Sequence, residues 1–208
     1  MPSSRHHLRT VRDIVAATDL PTIEFPDRSA WERWLEDNHE SSAGVWLKIA
    51  RKGSGAVTVT YAEALEEALC CGWIDGQKAP FNETFWLQRF TPRGQRSKWS
   101  EINRRKATEL IEQGRMRPAG VAQVEAARRD GRWEAAYASQ RTISVPDDFQ
   151  RALDANPNAN DFFATLKSSE RYSFLYRIHD AKRPETRARR IRDYVAMLAD
   201  GKTIHRPG

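Results

Sequence analysis

Cysteine, long apolar runs and the short signatures of nucleotide or metal chemistry are what this chain of 208 residues has least of. Its two cysteines, Cys70 and Cys71, are neighbours. Adjacent thiols cannot staple distant segments, and no C-x-x-C spacing serves zinc or redox work. The fold must therefore rest on a buried core, and a cytoplasmic location is expected. No apolar stretch approaches the roughly 18 residues that span a bilayer, so no membrane insertion is expected. The opening MPSSRHHLRTVRDIVAATDL carries only the short Ile14–Ala17 apolar patch, bracketed by Asp13 and Asp19, which argues against a signal peptide. There is no Walker A run, no G-x-G-x-x-G, no H-x₃-H and no Cys/His cluster, so neither cofactor nor metal is expected.

What is present is an ordinary globular composition, 39% hydrophobic and 30% charged, with length enough to bury a core. The net charge of +6 is uneven: residues 1–100 balance 13 bases against 13 acids, whereas residues 101–208 hold 21 against 15. That excess suits either an Arg-rich solvated helical face or contact with nucleic acid. All seven tryptophans precede residue 134, so the heavy aromatic packing belongs to the first two thirds.

Hydrophobic periodicity predicts an α+β fold, a small and mainly antiparallel sheet packed with helices and followed by a helix-rich C-terminal region. Thr22–Phe25 reads as an edge strand ended by Pro26. Ser29 and Glu32 have the spacing of a capping box ahead of a helix that buries Trp31, Trp34 and Leu35. Gly44–Ala50 alternates as a strand. Thr60 and Glu63 form a second capping box, and that helix stops at Gly72 as a left-handed cap. Trp73–Lys78 and Thr84–Phe90 make a hairpin. From Ser100 the pattern is helical to the end, the clearest case being Ile191, Tyr194, Val195 and Leu198 before Gly201. The expected organisation is a flexible arm over 1–21, a Trp-rich α+β core over 22–140, and a helical region over 141–208.

The densest chemistry lies between Cys71 and Asn103. Trp73 and Asp75 share a strand face by period-two alternation. A hairpin pairing brings Arg89 towards Asp75, whose carboxylate would orient the guanidinium. Thr91 and Arg93 flank a Pro92 turn. Ser97 and Ser100 offer hydroxyls before a helix whose start favours anions, with Asn103 one turn inside and Trp99 as a wall. Trp73, Asp75, Arg89, Thr91, Arg93, Ser97, Trp99, Ser100 and Asn103 are thus candidate ligands of a small anion. The same residues also suit a plain structural lock of hairpin and cap, and both readings stay open on composition alone. Lys182 and Arg187, at the head of the last helix, are secondary candidates that either reach the ligand or cover the sheet.

Five segments in order, YAEALEEALCCGWIDGQ (Tyr61–Gln77), RFTPR (Arg89–Arg93), SKWSEIN (Ser97–Asn103), GRMRPAG (Gly114–Gly120) and AKRPETRARRI (Ala181–Ile191), resemble the bacterial YdeI/OmpD-associated or bacteriocin-protection family, over roughly Thr22 to Lys202. The resemblance implies a part in envelope stress or tolerance of antimicrobial peptides. It implies no reaction, and it tilts the Cys71–Asn103 stretch towards a ligand site.

The expected function is a cytoplasmic small-anion-binding or accessory protein of that stress response, with no catalytic residue assigned. Two alternatives stand beside it: a weak nucleic-acid binder, and an enzyme using Asp75 as acid or base. A Ser–His–Asp arrangement from Ser97 or Ser100, His39 and Asp75 lacks a G-x-S-x-G elbow. Cys71 sits where a helix C-terminus opposes a thiolate, which favours a buried structural thiol. Oligomeric state is not readable.

Overall fold

The computed structural model describes residues 20–204; most of the expected N-terminal arm lies outside them. Among the described residues there are four strands, β1 (Thr22–Glu24), β2 (Val45–Ala50), β3 (Trp73–Pro80) and β4 (Phe85–Pro92). Eight helices accompany them: α1 (Arg28–Asn38), α2 (Tyr61–Cys70), α3 (Glu101–Glu112), α4 (Pro118–Arg129), α5 (Asp147–Asp154), α6 (Pro157–Thr165), α7 (Ser168–His179) and α8 (Pro184–Ala199). The class is α+β with a helix-rich C-terminal region, as the periodicity predicts.

The chain divides into two compact units, the first running up to Ser97 and resuming over Arg105–Trp133, the second comprising Lys98–Arg104 and the chain from Glu134. Residues 98–104 make a separate excursion within this division.

In the first unit the sheet order is β1-β2-β4-β3, with β1 parallel to β2 and the other pairs antiparallel. Val45, Leu47 and Ile49 point to one face and are buried, while Trp46, Lys48 and Ala50 point to the other and are half-exposed. That is the signature of a sheet with one covered side. Aromatic rings fill the covered side. Trp31 of α1 stacks on Trp34 at 5.3 Å and meets Phe90 of β4 at 5.6 Å, and Trp34 stands edge-on to Trp73 at 5.9 Å. The buried indoles keep their N–H groups satisfied, Trp31 donating to the Ala64 carbonyl and Trp73 to the His39 carbonyl, both at 3.1 Å.

Local chemistry sets the helix ends. Asp27 caps α1, its carboxylate accepting from the Ala30 N–H at 2.8 Å. The Ser29–Glu32 box therefore does not form, because an acid two residues earlier already serves the free N–H groups. At α2 the Thr60–Glu63 box is complete, and Gly72 follows with φ +74°. Helix α4 crosses α2 at Gly120. A Cβ there would press against the Cys70 carbonyl oxygen and Met116 Sδ and lie 2.8 Å from the Leu69 carbonyl oxygen. Only a glycine lets the two backbones approach so closely.

The second unit has its own core, formed by Phe149, Leu153, Phe163, Phe174, Ile178, Ile191 and Leu198. Asp148 and Arg187 brace it with a two-pronged pair, Nε to Oδ2 at 2.6 Å and an Nη to Oδ1 at 2.8 Å. No helix of the described residues is long and apolar enough to cross a membrane.

Candidate functional site

Strand register decides which candidate residues share a surface. Trp73 pairs with Pro92, Ile74 with Thr91 and Asp75 with Phe90, before a bulge between Asp75 and Lys78. Residues directly opposite in an antiparallel pair point the same way. Asp75 therefore lies on the helix-covered face with Phe90, and Arg89 and Thr91 lie on the open face. The expected Asp75–Arg89 orientation fails by one residue of register, since a shift of one exchanges faces. Asp75 instead accepts from the Tyr61 hydroxyl at 2.8 Å, at the start of α2.

Trp73 is 1% exposed inside the aromatic core, which removes it from reach of a ligand. The remaining candidates of the first unit follow β4. Arg93 is buried and its N–H donates to the Gly72 carbonyl at 3.0 Å. The Ser97 hydroxyl accepts from the Gly94 N–H at 3.0 Å and so closes a turn. Gly94, Gln95, Arg96 and Ser97 line a recess of about 640 Å³.

Trp99, Ser100 and Asn103 belong to the second unit. Ser100 is the N-cap of α3 as expected, its hydroxyl accepting from the Asn103 N–H at 3.1 Å. The Trp99 carbonyl accepts from the Tyr137 N–H at 3.0 Å, and Ser100 bridges to Tyr137. Trp99 and Asn103 are buried. Next to them Lys98 meets Asp180 and the Tyr176 hydroxyl; burial works against its charge, but these two bonds outweigh that and raise its pKa. Arg187 is committed to Asp148 and to the Ile178 carbonyl, at 2.9 Å, so that each of its three guanidinium nitrogens donates once and it acts as a brace of the second core. Lys182 is exposed.

Arg89 is different. Its side chain is half-buried, its Nε is shut away from solvent without a hydrogen-bond partner, and no acid of the described residues pairs with it. The Nε rests over Gly76, where an added Cβ would stand 3.2 Å away. Trp46 of β2 is its direct cross-strand neighbour. Two members of this cluster, Trp46 and Gly76, were missed by sequence reasoning. The signal for Trp46 was its parity with Lys48 in Val45–Ala50, a large aromatic on the polar alternation of a strand.

Other chemistry is tied up or dispersed. His39 closes α1, its Nδ1 2.9 Å from the Leu35 carbonyl, and does not join a nucleophile. Burial pushes Cys70 and Cys71 up to about 12 and about 11, the opposite of a reactive thiolate. No group of three or more His, Cys, Asp and Glu gathers to hold a metal among the described residues. On α8 the exposed Arg189 and Arg192 alternate with the exposed Glu185 and Asp193 and form no basic stripe.

Comparison with known families finds two matching models along the chain. Residues 142–201 match the family described as "Bacteriocin-protection, YdeI or OmpD-Associated". Residues 23–123 match a different model, "Domain of unknown function (DUF8412)". Of the five segments that resemble the YdeI/OmpD-associated family, only Ala181–Ile191 falls in the first match; the GWID, RFTPR and WSEIN segments fall in the second. No curated protein and no solved structure gives a match.

Proposed function

We propose that the open face of the sheet binds a small carboxylate or phosphate through Arg89, and that the protein acts through this ligand as a cytoplasmic accessory factor in bacteriocin or envelope-stress tolerance. One observation carries the binding reading: a half-buried arginine with its Nε desolvated and no acid beside it. A guanidinium stays charged at every working pH. Withdrawing part of it from water without a compensating anion costs free energy that a bound anion would return. Thr91 lies two residues along the same strand face, about 7 Å away, and supplies a hydroxyl. Trp46 supplies an apolar wall, and Gly76 leaves the guanidinium room to lie flat on the backbone.

The match over residues 142–201 supports the accessory role. The two free, buried thiols suit a reducing compartment. Asp75, already engaged by Tyr61, is assigned no catalytic step.

Calorimetric titration with inorganic phosphate, citrate and acetate tests the site. The expected result is saturable binding by at least one anion, weakened in Arg89→Lys through loss of the planar fork and abolished in Arg89→Ala. An anion that binds Arg89→Ala as well as it binds the parent protein would remove Arg89 from the site.

A further inference from the structure

A second recess lies on the helix-covered side of the same sheet, beside Tyr61 at the start of α2. It is open to solvent, has a volume of about 380 Å³, within the size range of small-molecule sites, and is lined by exposed Arg51, Lys78 and Pro80 and half-buried Ala79 and Trp86. Register explains the grouping. Pro80 is directly opposite Trp86, and Lys78 is opposite Gln88 one step along the same face. Arg51 continues β2 past its last strand residue, its N–H donating to the Thr84 carbonyl at 2.8 Å.

The side chains are arranged for a particular kind of guest. The Lys78 ammonium stands 5.0 Å from the centroids of both the Tyr61 and the Trp86 ring, held by two π faces. The Arg51 Nε donates to the Asn82 carbonyl at 3.1 Å, which fixes the plane of the guanidinium. Neither cation has an acid partner among the described residues. Two positive charges, a half-buried indole and a proline ring thus meet at one cavity, with no carboxylate lining it.

We infer that this recess is a binding site for a planar aromatic carboxylate, its ring packed on Trp86 and Pro80 and its carboxylate shared between Arg51 and Lys78. The site is independent of Arg89, which lies on the opposite face of the sheet. The apolar wall selects the ring; the two cations select the charge. A neutral aromatic of the same shape satisfies only the first requirement.

Salicylate titrated into the full chain, followed by ¹H–¹⁵N correlation spectra with the Trp86 indole resonance assigned by Trp86→Phe, tests this. Saturable shifts are expected at the Trp86 indole N–H and at the amides of Arg51 and Lys78, while Trp46 and Arg89 stay still. The double variant Arg51→Ala/Lys78→Ala, whose dispersed spectrum reports that it folds, is expected to bind weaker by about tenfold or more. Benzyl alcohol is expected to shift the same indole only weakly. The inference is overturned by no saturable shift at millimolar salicylate, by shifts centred on Arg89, by equal binding of benzyl alcohol, or by undiminished binding in the double variant.

Discussion

Replacing Gly120 by alanine sets two effects of opposite sign against each other. Helix propensity alone favours the change, by at most about 1 kcal/mol, since Gly120 lies inside α4. Packing opposes it. The new methyl would meet the Cys70 carbonyl oxygen, Met116 Sδ and, at 2.8 Å, the Leu69 carbonyl oxygen. The methionine can swing aside, but the two carbonyls belong to the end of α2 and yield only if the helices part. Overpacking of this kind costs about 1–3 kcal/mol, and the rigid backbone contacts put it near the upper end. The net loss is about 2 kcal/mol, which lowers Tm by roughly 4–8 °C for a chain of this size. Gly131→Ala is the control: open space surrounds that position, but its φ is +77°, so a loss of about 1 kcal/mol from backbone strain is expected. Calorimetric or circular-dichroism melts read both. A Gly120→Ala protein as stable as the parent, or more stable, would refute the close crossing of α2 and α4.

Three further outcomes are expected. Asp148→Asn should lower stability at neutral pH by about 1 kcal/mol, a figure discounted because the carboxylate is over a third exposed. Arg187 holds the Asp148 pKa below its ordinary 3.8, so the gap from the parent is full above that value and closes as pH falls below it in acid-titrated melts. The thiols of Cys70 and Cys71 should ignore a disulfide reagent in the native protein and react on denaturation. Because burial raises them from 9.0 to about 12 and about 11, their contribution to stability is constant below pH 9 and declines above it, a slope that Cys70→Ala should flatten. Gln88→Leu should cost about 1–3 kcal/mol in urea unfolding, because the buried Gln88 amide donates to the Gly76 and Gln77 carbonyls at the β3 bulge and leucine leaves them unserved.

Features governed by neighbours in sequence were the readable ones. The Thr60–Glu63 box, the Gly72 cap and the Ser100 cap each depend on residues within one turn, and each formed as expected. Alternation over Val45–Ala50 correctly sorted buried from half-exposed positions. What depends on a partner far away was not readable. Asp75 and Arg89 were separated by a single residue of register, which the sequence of a hairpin with a four-residue loop does not fix. Asp75 met Tyr61, 14 positions earlier, and Arg187 met Asp148, 39 positions earlier. The site suffered most from this. Its residues were picked from one continuous stretch, and the two faces of a strand divide such a stretch by parity. Arg89 emerged only because the register left it without the acid that composition had promised it.

The excursion of residues 98–104 has a consequence for how such a chain is cut and inherited. The polypeptide passes from one unit to the other after Ser97, returns after Arg104 and leaves again after Trp133. No single cleavage can therefore release either unit whole. A fragment ending at Trp133 keeps seven residues that belong elsewhere, and one beginning at Glu134 lacks them. A gene fusion or duplication that carried off residues 142–201 alone would leave behind Trp99 and Ser100, with the Tyr137 they meet. Interleaving of this sort leaves neither unit as one continuous segment of the chain.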